Sequence, residues 1–318
     1  GHKGWPTIQR LMVALLSFLQ PFLKLAQMPE AVRMLYESTM RVMLVLLHDF
    51  PEFLADYHAS FCDCIPTNCV QMRNLVLSAF PRTMRLPDPF APQLKVDELE
   101  SMKQPPRVLS DYTAVLEGLQ RVLDSYLSTR REDLLMSLPA TLVGEGGAFK
   151  VALINAVVLY VGAHGSTENL SNPVALLRTP ATTLFLYLGR ALPPEGRYYL
   201  LNAVANQLRY PNRHTHFFSV TMLTLFAETD EDFLREQITR VLLERLIVHR
   251  PHPWGLLVTF IELIKNPRYN FWKGGFTKCA PEIEMVFDTV ARSCLGVSAA
   301  ALEAAATSGK GIASTLPH

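Results

Sequence analysis

The sequence predicts an all-α protein, a solenoid of roughly a dozen helices stacked in pairs. Three observations support this class. In residues 254–265 the clearly polar side chains are Thr259, Glu262 and Lys265, which form one stripe at a spacing of three. Neighbours must therefore cover this helix on its other sides. The 22 prolines fall mostly at the ends of apolar-periodic segments. No segment shows the apolar/polar alternation of a half-buried strand. These features are typical of a stacked helical array.

The first four helices are predicted over residues 6–26, 29–48, 51–62 and 68–80. The first three begin at or beside a proline, whose fixed φ and missing N–H suit the first turn of a helix. In the second, Arg33, Glu37 and Arg41 recur every four residues and predict a solvated face. The apolar run at 42–47 predicts that its other side is buried.

A proline-rich stretch at residues 81–107 interrupts the helical rhythm. Its five prolines between residues 87 and 106 disfavour helix and force extended or turned backbone. Leu86, Phe90, Leu94 and Val96 are spaced through it. We therefore expect an extended segment packed onto the helices, and call residues 81–107 the strap.

Helical periodicity resumes after the strap. Helices are predicted over 111–129, 132–138, 149–161, 173–192 with a break at Pro180, 194–209, 214–228, 254–265 and 281–295. Thr229 and Asp232 form a Ser/Thr-x-x-acid capping pattern before a further helix. Irregular HEAT-like pairs of about 40 residues fit this spacing better than tetratricopeptide or ankyrin repeats.

Three regions are predicted along the chain. Residues 1–3 read as a cloning remnant, residues 4–297 as one HEAT-like domain, and residues 298–318 as an Ala/Gly/Ser-rich tail that becomes disordered toward its end. The five cysteines are an odd number in a long chain, which favours a reducing, intracellular compartment over a disulfide framework.

Composition argues against two classes of partner. The formal net charge is +1 and no long basic run occurs, so direct binding of nucleic acid is not expected. The longest apolar tracts, at 11–16, 42–47 and 151–161, are shorter than the roughly 18–20 residues that span a bilayer. We therefore expect no membrane association.

Catalytic motifs are missing from the sequence. It contains no Gly-x-Ser-x-Gly elbow, phosphate-binding loop or dinucleotide fingerprint, so we predict that the chain is not an enzyme. His58, Cys62, Cys64 and Cys69 offer donors of the kind that zinc prefers, but their spacing lacks a second paired cysteine motif. Buried structural thiols are the favoured interpretation, and neither metal nor cofactor is expected.

A polar pattern on one helix suggests a recognition surface. Asn202, Asn206 and Arg209 lie at positions i, i+4 and i+7, where amide groups could pair with an extended peptide, although an ordinary solvated stripe is the favoured interpretation. The next turn is rich in aromatic and cationic groups that could anchor a partner or stack on RNA bases. The candidate partner-binding residues are Leu86, Phe90, Asn202, Asn206, Arg209, Tyr210, Arg213, His214, His216 and Phe217.

Several segments resemble a known family. Residues 48–54 read HDFPEFL, 71–92 contain LSAFPR and MRLPDPF, 206–212 read NQLRYPN, and 237–267 begin with QITRVLLERL. These segments look like the carboxy-terminal domain of the Not-one scaffold subunit of the eukaryotic CCR-NOT deadenylase complex. The resemblance is dense over residues 4–106 and 196–295, weak over 128–196 and absent in the tail.

The resemblance implies a non-catalytic HEAT-type domain. It implies docking of the Not-two and Not-three/five heterodimer, and of short linear motifs from repressors such as Nanos, in support of mRNA deadenylation and translational repression. A cytoplasmic location that includes mRNA decay granules is expected, and a nuclear location is left open. The alternative function is an RNA-contacting helical repeat module that uses Arg209, Arg213 and the adjacent aromatic residues.

Overall fold

A computed structural model of the chain describes residues 2–25, 27–91, 93–166, 179–229, 231–278, 281–295, 300–301 and 303–304. Within these ranges the chain forms fourteen α-helices joined by short loops and 3-10 turns. Extended pairing over the same residues amounts to one isolated bridge between Val143 and Phe149. The predicted all-α, HEAT-like class is confirmed.

Five helices precede the strap: α1 (Trp5–Leu25), α2 (Glu30–Asp49), α3 (Pro51–Asp56), α4 (His58–Cys64) and α5 (Val70–Leu77). The single helix predicted over 51–62 is wrong, because Tyr57 leaves helical geometry at ψ 13° and separates α3 from α4. α3 begins with Pro51 at its first position, as the proline pattern predicts.

The helices after the strap are α6 (Leu119–Thr129), α7 (Leu138–Thr141), α8 (Val151–Gly165) and α9 (Pro180–Ala191). The predicted start of α6 at residue 111 is wrong. The Asp111 carboxylate accepts bonds from the Thr113 hydroxyl and the Ala114 N–H, which satisfies the backbone locally in a turn. Glu117 then takes a positive φ of 45°, and the helix forms only beyond it. The predicted helical segment 173–178 lies outside the described residues.

The last five helices are α10 (Pro194–Ala205), α11 (Arg213–Ala227), α12 (Asp232–Leu246), α13 (Trp254–Lys265) and α14 (Pro281–Leu295). The predicted bounds of α13 and α14 are confirmed. The predicted capping pattern is wrong, since Glu231 is the N-cap of α12 and the Thr229 hydroxyl accepts the Glu231 N–H before the helix begins.

Two apolar cores organise these helices. The N-terminal core lies between α1 and α5 and includes Leu16, Met43, Phe53 and Phe61. The main core runs through α6 to α14. Helix α10 packs between α8 and α12, and α11 packs against α13, while contacts of α5 with α12 and of α4 with α8 join the two cores. The surface where α3 to α5 meet α8 and α10 to α12 is called the seam below.

Helix α13 is an inner helix, as its apolar sequence predicts. Trp254, Leu256, Phe260 and Leu263 are all buried. The predicted polar stripe is wrong at Thr259, whose side chain is fully buried and whose hydroxyl donates to the carbonyl of Gly255, an i−4 bond that satisfies it inside the helix. Neighbouring helices therefore surround α13 almost completely.

A close approach at the start of α13 requires glycine. The N–H of Gly255 donates to the carbonyl oxygen of Arg209 at 2.5 Å. A Cβ atom at this position would lie 2.5 Å from Cγ2 of Thr215 and 2.8 Å from the Arg209 carbonyl oxygen. The missing side chain lets α13 lie directly against the turn that links α10 to α11.

The strap crosses α11 and α13. Leu86, Leu94, Val96 and Leu99 pack with Met102 on the buried side chains of Trp254 and Val258. The indole N–H of Trp254 donates to the Pro87 carbonyl at 2.8 Å. The segment contains two 3-10 turns, Val96–Glu98 and Glu100–Lys103. Apolar packing and backbone hydrogen bonds therefore attach this proline-rich segment to the helices.

Helix α1 has an unusual amount of apolar surface. By length and composition alone, it is the one helix in the described ranges that could cross a membrane. Leu16 and Leu19 are buried on its inner side, whereas Leu11, Phe18 and Leu25 are exposed on its outer side. Its apolar runs are separated by polar residues such as Ser17 and Gln20, so no uninterrupted apolar tract of the sequence is as long as the helix.

Candidate partner-binding surface and the buried seam

The seam contains a buried polar network instead of apolar side chains. Arg73 of α5 donates from Nη1 to Asn206 Oδ1 at 3.2 Å, and Arg245 of α12 donates from Nη2 to the same oxygen at 2.8 Å. Arg245 Nη2 also lies 2.9 Å from Asn202 Oδ1, and Asn74 donates from Nδ2 to the Arg245 carbonyl at 2.6 Å. Side-chain hydrogen bonds therefore join α5, α10 and α12.

A second group of bonds crosses the seam near α3. Arg209 donates from Nη1 to the Ala55 carbonyl oxygen at 2.9 Å. His58 places Nδ1 3.0 Å from the same oxygen and Nε2 3.3 Å from the side-chain oxygen of Gln207. Burial, reinforced by the positive charge of Arg209, holds the pKa of His58 well below its usual value. The imidazole is therefore neutral at pH 7 and donates only one of these two hydrogen bonds.

The predicted solvent-facing stripe on α10 is wrong. Asn202, Asn206 and Arg209 are 5%, 3% and 0% exposed, because that side of the helix faces the first five helices instead of water. Their amide and guanidinium groups bond within the seam. Direct peptide capture by these three side chains in the folded protein is therefore incompatible with their burial.

The aromatic and cationic turn is also mostly internal. Tyr210, His214 and Phe217 are buried, which contradicts their expected place on the surface. Burial, followed in size by the charge of Arg209, lowers the pKa of His214 to about 4. These side chains pack inside the protein and anchor the turn between α10 and α11.

Arg213 and His216 hold the strap. Arg213 donates from Nε to the Lys103 carbonyl at 3.0 Å and from its backbone N–H to the Gln104 carbonyl at 2.8 Å. His216 Nε2 lies 2.8 Å from Asp97 Oδ1, a hydrogen bond that lowers the pKa of Asp97. These two predicted residues therefore lie next to the strap, far along the sequence from Leu86 and Phe90.

A groove runs between the strap and helices α11 and α13. Its volume is about 720 Å³. Leu94, Val96, Val220 and Val258 contribute apolar walls, and the groove also takes in Arg213 and His216. The groove therefore combines apolar walls with polar groups at one accessible place.

Phe90 belongs to a smaller cavity. Its ring is 41% exposed, and the cavity of about 380 Å³ is lined by Phe90, Leu246, Arg250, Pro251, His252, Leu257 and Val290. Leu86 is half-buried between the N-terminal core and the strap packing. Of the ten predicted partner-binding residues, Leu86, Phe90 and Arg213 thus keep substantial contact with solvent, and a binding role for them stays a prediction.

The donors considered for zinc are used otherwise. The His58 ring lies between the Ala55 carbonyl and the Gln207 side chain, Cys62 is buried, and Cys64 accepts a hydrogen bond from Ser17 at 3.5 Å. Burial raises the pKa of the Cys62 and Cys64 thiols, which favours their neutral form. Among the residues that the structure describes, no group of three His, Cys, Asp or Glu side chains is placed to hold a metal ion.

The sequence analysis missed the residues on the other side of the seam. Arg73 and Asn74 lie in α5 among Met72, Leu75 and Val76, and Arg245 lies within the apolar end of α12. A polar residue inside such a run is a signal of a buried polar contact. The partner of that contact depends on tertiary packing, which periodicity does not contain.

Fold and surface together define a HEAT-type helical domain that presents a groove beside an extended strap. The chain belongs to the family described as CCR4-Not complex component, Not1, whose match covers residues 1–291. It is 48% identical over 305 residues to the CCR4-NOT transcription complex subunit let-711 of Caenorhabditis elegans, covering 92% of this chain and 12% of that protein. It is also 37% identical over 297 residues to the general negative regulator of transcription subunit 1 of Schizosaccharomyces pombe, covering 89% of this chain and 14% of the relative.

Two solved structures are similar to this fold. The NOT1 superfamily homology domain from Chaetomium thermophilum matches with a TM-score of 0.84 and 31% identity, over 92% of this chain and 61% of that chain. A Not1 C-terminal domain in complex with Not4 matches with a TM-score of 0.74 and 30% identity, over 83% of this chain and 55% of the other. The present chain is thus shorter than both structures and much shorter than its full-length relatives.

Proposed function

We propose that this chain is a non-catalytic scaffold module of the CCR-NOT complex that docks the Not-two and Not-three/five heterodimer. In this role it recruits and organises subunits that support mRNA deadenylation and translational repression. Short linear motifs of repressors such as Nanos are proposed as further partners. The module would act in the cytoplasm, including mRNA decay granules.

The groove beside the strap is the observation that carries this proposal. An extended segment needs an elongated site with apolar walls for its side chains and polar groups for its backbone. The groove offers Leu94, Val96 and Val220 for the first purpose, and the Glu262 and Arg268 side chains of its lining for the second. Family membership supports the assignment, because a related Not1 domain has been solved in complex with another protein, Not4.

The burial of Arg209 weighs against the RNA-contacting alternative. Its guanidinium is fully buried, and Arg213 of the same turn binds strap carbonyls. Cations that are enclosed in the fold or directed at carbonyl groups provide little attraction for phosphates. The burial of Arg209 therefore favours protein docking over RNA binding.

A binding assay with purified components tests the proposal. The chain should retain the Not-two and Not-three/five heterodimer on a column and give a saturable binding curve. Failure of the unmodified, folded chain to bind the heterodimer would contradict the proposal. Affinity should change little with salt if apolar contacts dominate, whereas a steep loss with salt would point to charge-driven binding.

Matched surface variants locate the docking surface. Ile261 and Arg268 line the groove, so Ile261→Glu combined with Arg268→Glu should weaken binding at least tenfold by placing carboxylates there. Met136 is 74% exposed and is not among the groove-lining residues, so Met136→Glu provides the control. Equal affinity of both variants would show that the heterodimer docks somewhere else on the domain.

A further inference from the structure

The seam encloses three arginines from different parts of the chain. Arg73, Arg209 and Arg245 are 2%, 0% and 2% exposed. Their hydrogen bonds go to backbone carbonyls and to the side chains of Asn202 and Asn206, all of them neutral groups. Neutral acceptors satisfy individual N–H groups but do not balance the buried positive charge.

Nearby carboxylates bond elsewhere. Asp56 acts on Arg209 through its charge and forms an ion pair with Arg107 at 3.4 Å. Glu244 acts weakly on Arg245 and pairs with Arg240 at 2.6 Å. The seam therefore holds three guanidinium groups for which the described residues provide no hydrogen-bonded carboxylate.

Several guanidinium nitrogens also lack a protein acceptor. They are Arg73 Nε, Arg209 Nε, Arg209 Nη2 and Arg245 Nη1, each buried. An unmet N–H in the interior costs about 1–3 kcal/mol, and more when it belongs to a charged group. Unmet donors on all three arginines point to an acceptor that is not part of the polypeptide.

Two of the three guanidinium groups meet at one acceptor atom. Arg73 and Arg245 share the Asn206 Oδ1 acceptor at 3.2 and 2.8 Å. Burial, and next the charge of Arg73, lowers the pKa of Arg245 to about 9. All three arginines favour the ionised form of Cys62, although burial outweighs them and raises the pKa of its thiol. Because the Cys62 thiol stays neutral, it does not balance the positive charge of the arginines.

We propose that the seam binds a small inorganic anion of the chloride type between Arg73 and Arg245, with Arg209 acting on it through its charge. A monoatomic anion accepts N–H donors from several directions, and Arg73 and Arg245 already share one acceptor. It supplies an acceptor for the unmet N–H groups and a negative charge in direct contact with them. The anion would act structurally, by stabilising the contact between the N-terminal and main cores.

Bromide provides the direct test on the unmodified chain. Crystals grown with bromide in place of chloride should show an anomalous peak within hydrogen-bond distance of at least two of the three guanidinium groups. The melting temperature should rise by several degrees from fluoride to chloride or bromide at constant ionic strength, because an anion that binds the folded state stabilises it. Water alone at the site, together with melting that is independent of the anion, would overturn the proposal.

An isosteric substitution provides the second test. Asn206→Asp places a carboxylate where Arg73 and Arg245 now share an amide oxygen. This built-in charge should remove most of the chloride dependence of the melting temperature. Asn270→Asp adds the same charge at an exposed position and should leave the chloride dependence intact. A folded Asn206→Asp protein with the full chloride dependence would contradict the assignment.

Discussion

Trp254 and Pro87 are joined by a 2.8 Å hydrogen bond from the indole N–H to the carbonyl oxygen. The bond connects the innermost helix to the strap. Substituting Trp254→Phe keeps most of the apolar ring and removes the donor. We expect a loss of about 1 kcal/mol in the free energy of unfolding, and faster hydrogen exchange of strap amides in residues 94–104.

A second tryptophan provides the matched control for the strap. Trp272 also donates an indole N–H, to the Ile264 carbonyl at 2.9 Å, but it lies after α13. Trp272→Phe should cost a similar free energy of unfolding and leave hydrogen exchange in the strap unchanged. Faster strap exchange in both variants would show that general destabilisation, and not the Pro87 bond, controls the strap.

Buried histidines should make the protein sensitive to acid. The pKa of His214 is lowered to about 4, from an unfolded value near 6.5. Its contribution is complete above pH 6.5 and is lost as the pH falls toward 4, because the unfolded chain then binds the extra proton. The contribution of His214 to the loss from pH 7.5 to pH 5 should be about 2 kcal/mol, measured as the difference between the unmodified chain and His214→Gln in urea unfolding.

Two variants isolate the histidine contribution. His214→Gln should reduce the change in unfolding free energy between pH 7.5 and pH 5, and His48→Gln, at an exposed position, provides the matched control. Asp63 acts in the opposite direction, since burial raises its pKa to about 6. A pH dependence that is the same in His214→Gln and the unmodified chain would contradict the prediction.

The close approach at Gly255 should make this position intolerant of any side chain. Gly255→Ala brings a Cβ within 2.8 Å of the Arg209 backbone, which has little freedom to move away. We expect a loss of about 1–3 kcal/mol in the free energy of unfolding, seen as a lower melting temperature. Gly118→Ala, with nothing within 4 Å of its new Cβ, should be nearly neutral.

The outer faces of α1 and α2 should make the isolated chain self-associate. Leu11, Phe18, Met34 and Val45 are 65%, 54%, 63% and 54% exposed, and apolar surface on this scale promotes association. Leu11→Glu with Val45→Glu should reduce association in sedimentation velocity and barely change the melting temperature. Leu16→Glu, at a position only 1% exposed, should instead unfold the N-terminal core.

The sequence determined helices more reliably than surfaces. Helix α13 was predicted with its observed bounds because its own side chains are apolar on nearly all sides. This pattern can be recognised without knowledge of the neighbouring helices. The predicted start of α6 was wrong because the Asp111 side chain accepts a hydrogen bond from the local backbone, which competes with helix formation. A side-chain hydrogen bond of this kind does not alter the apolar periodicity.

The expected exposure of the Asn202, Asn206 and Arg209 stripe was wrong for a physical reason. Asn202, Asn206 and Arg209 form a polar stripe, and a polar stripe normally faces water. Here it faces Arg73 and the Ala55 carbonyl, which are more than 120 positions away in the sequence. Only tertiary contacts distinguish a solvated stripe from one that is paired inside the protein, and the sequence contains the same residues in both cases.

The seam fixes how far apart the strap and the first five helices lie. Apolar surfaces can slide past one another at a small cost, whereas hydrogen bonds such as those from Arg245 to Asn202 and Asn206 hold only at one placement. A partner that contacts both regions would meet them already at their final spacing. Such a partner would lose little binding free energy to reorganisation of the domain.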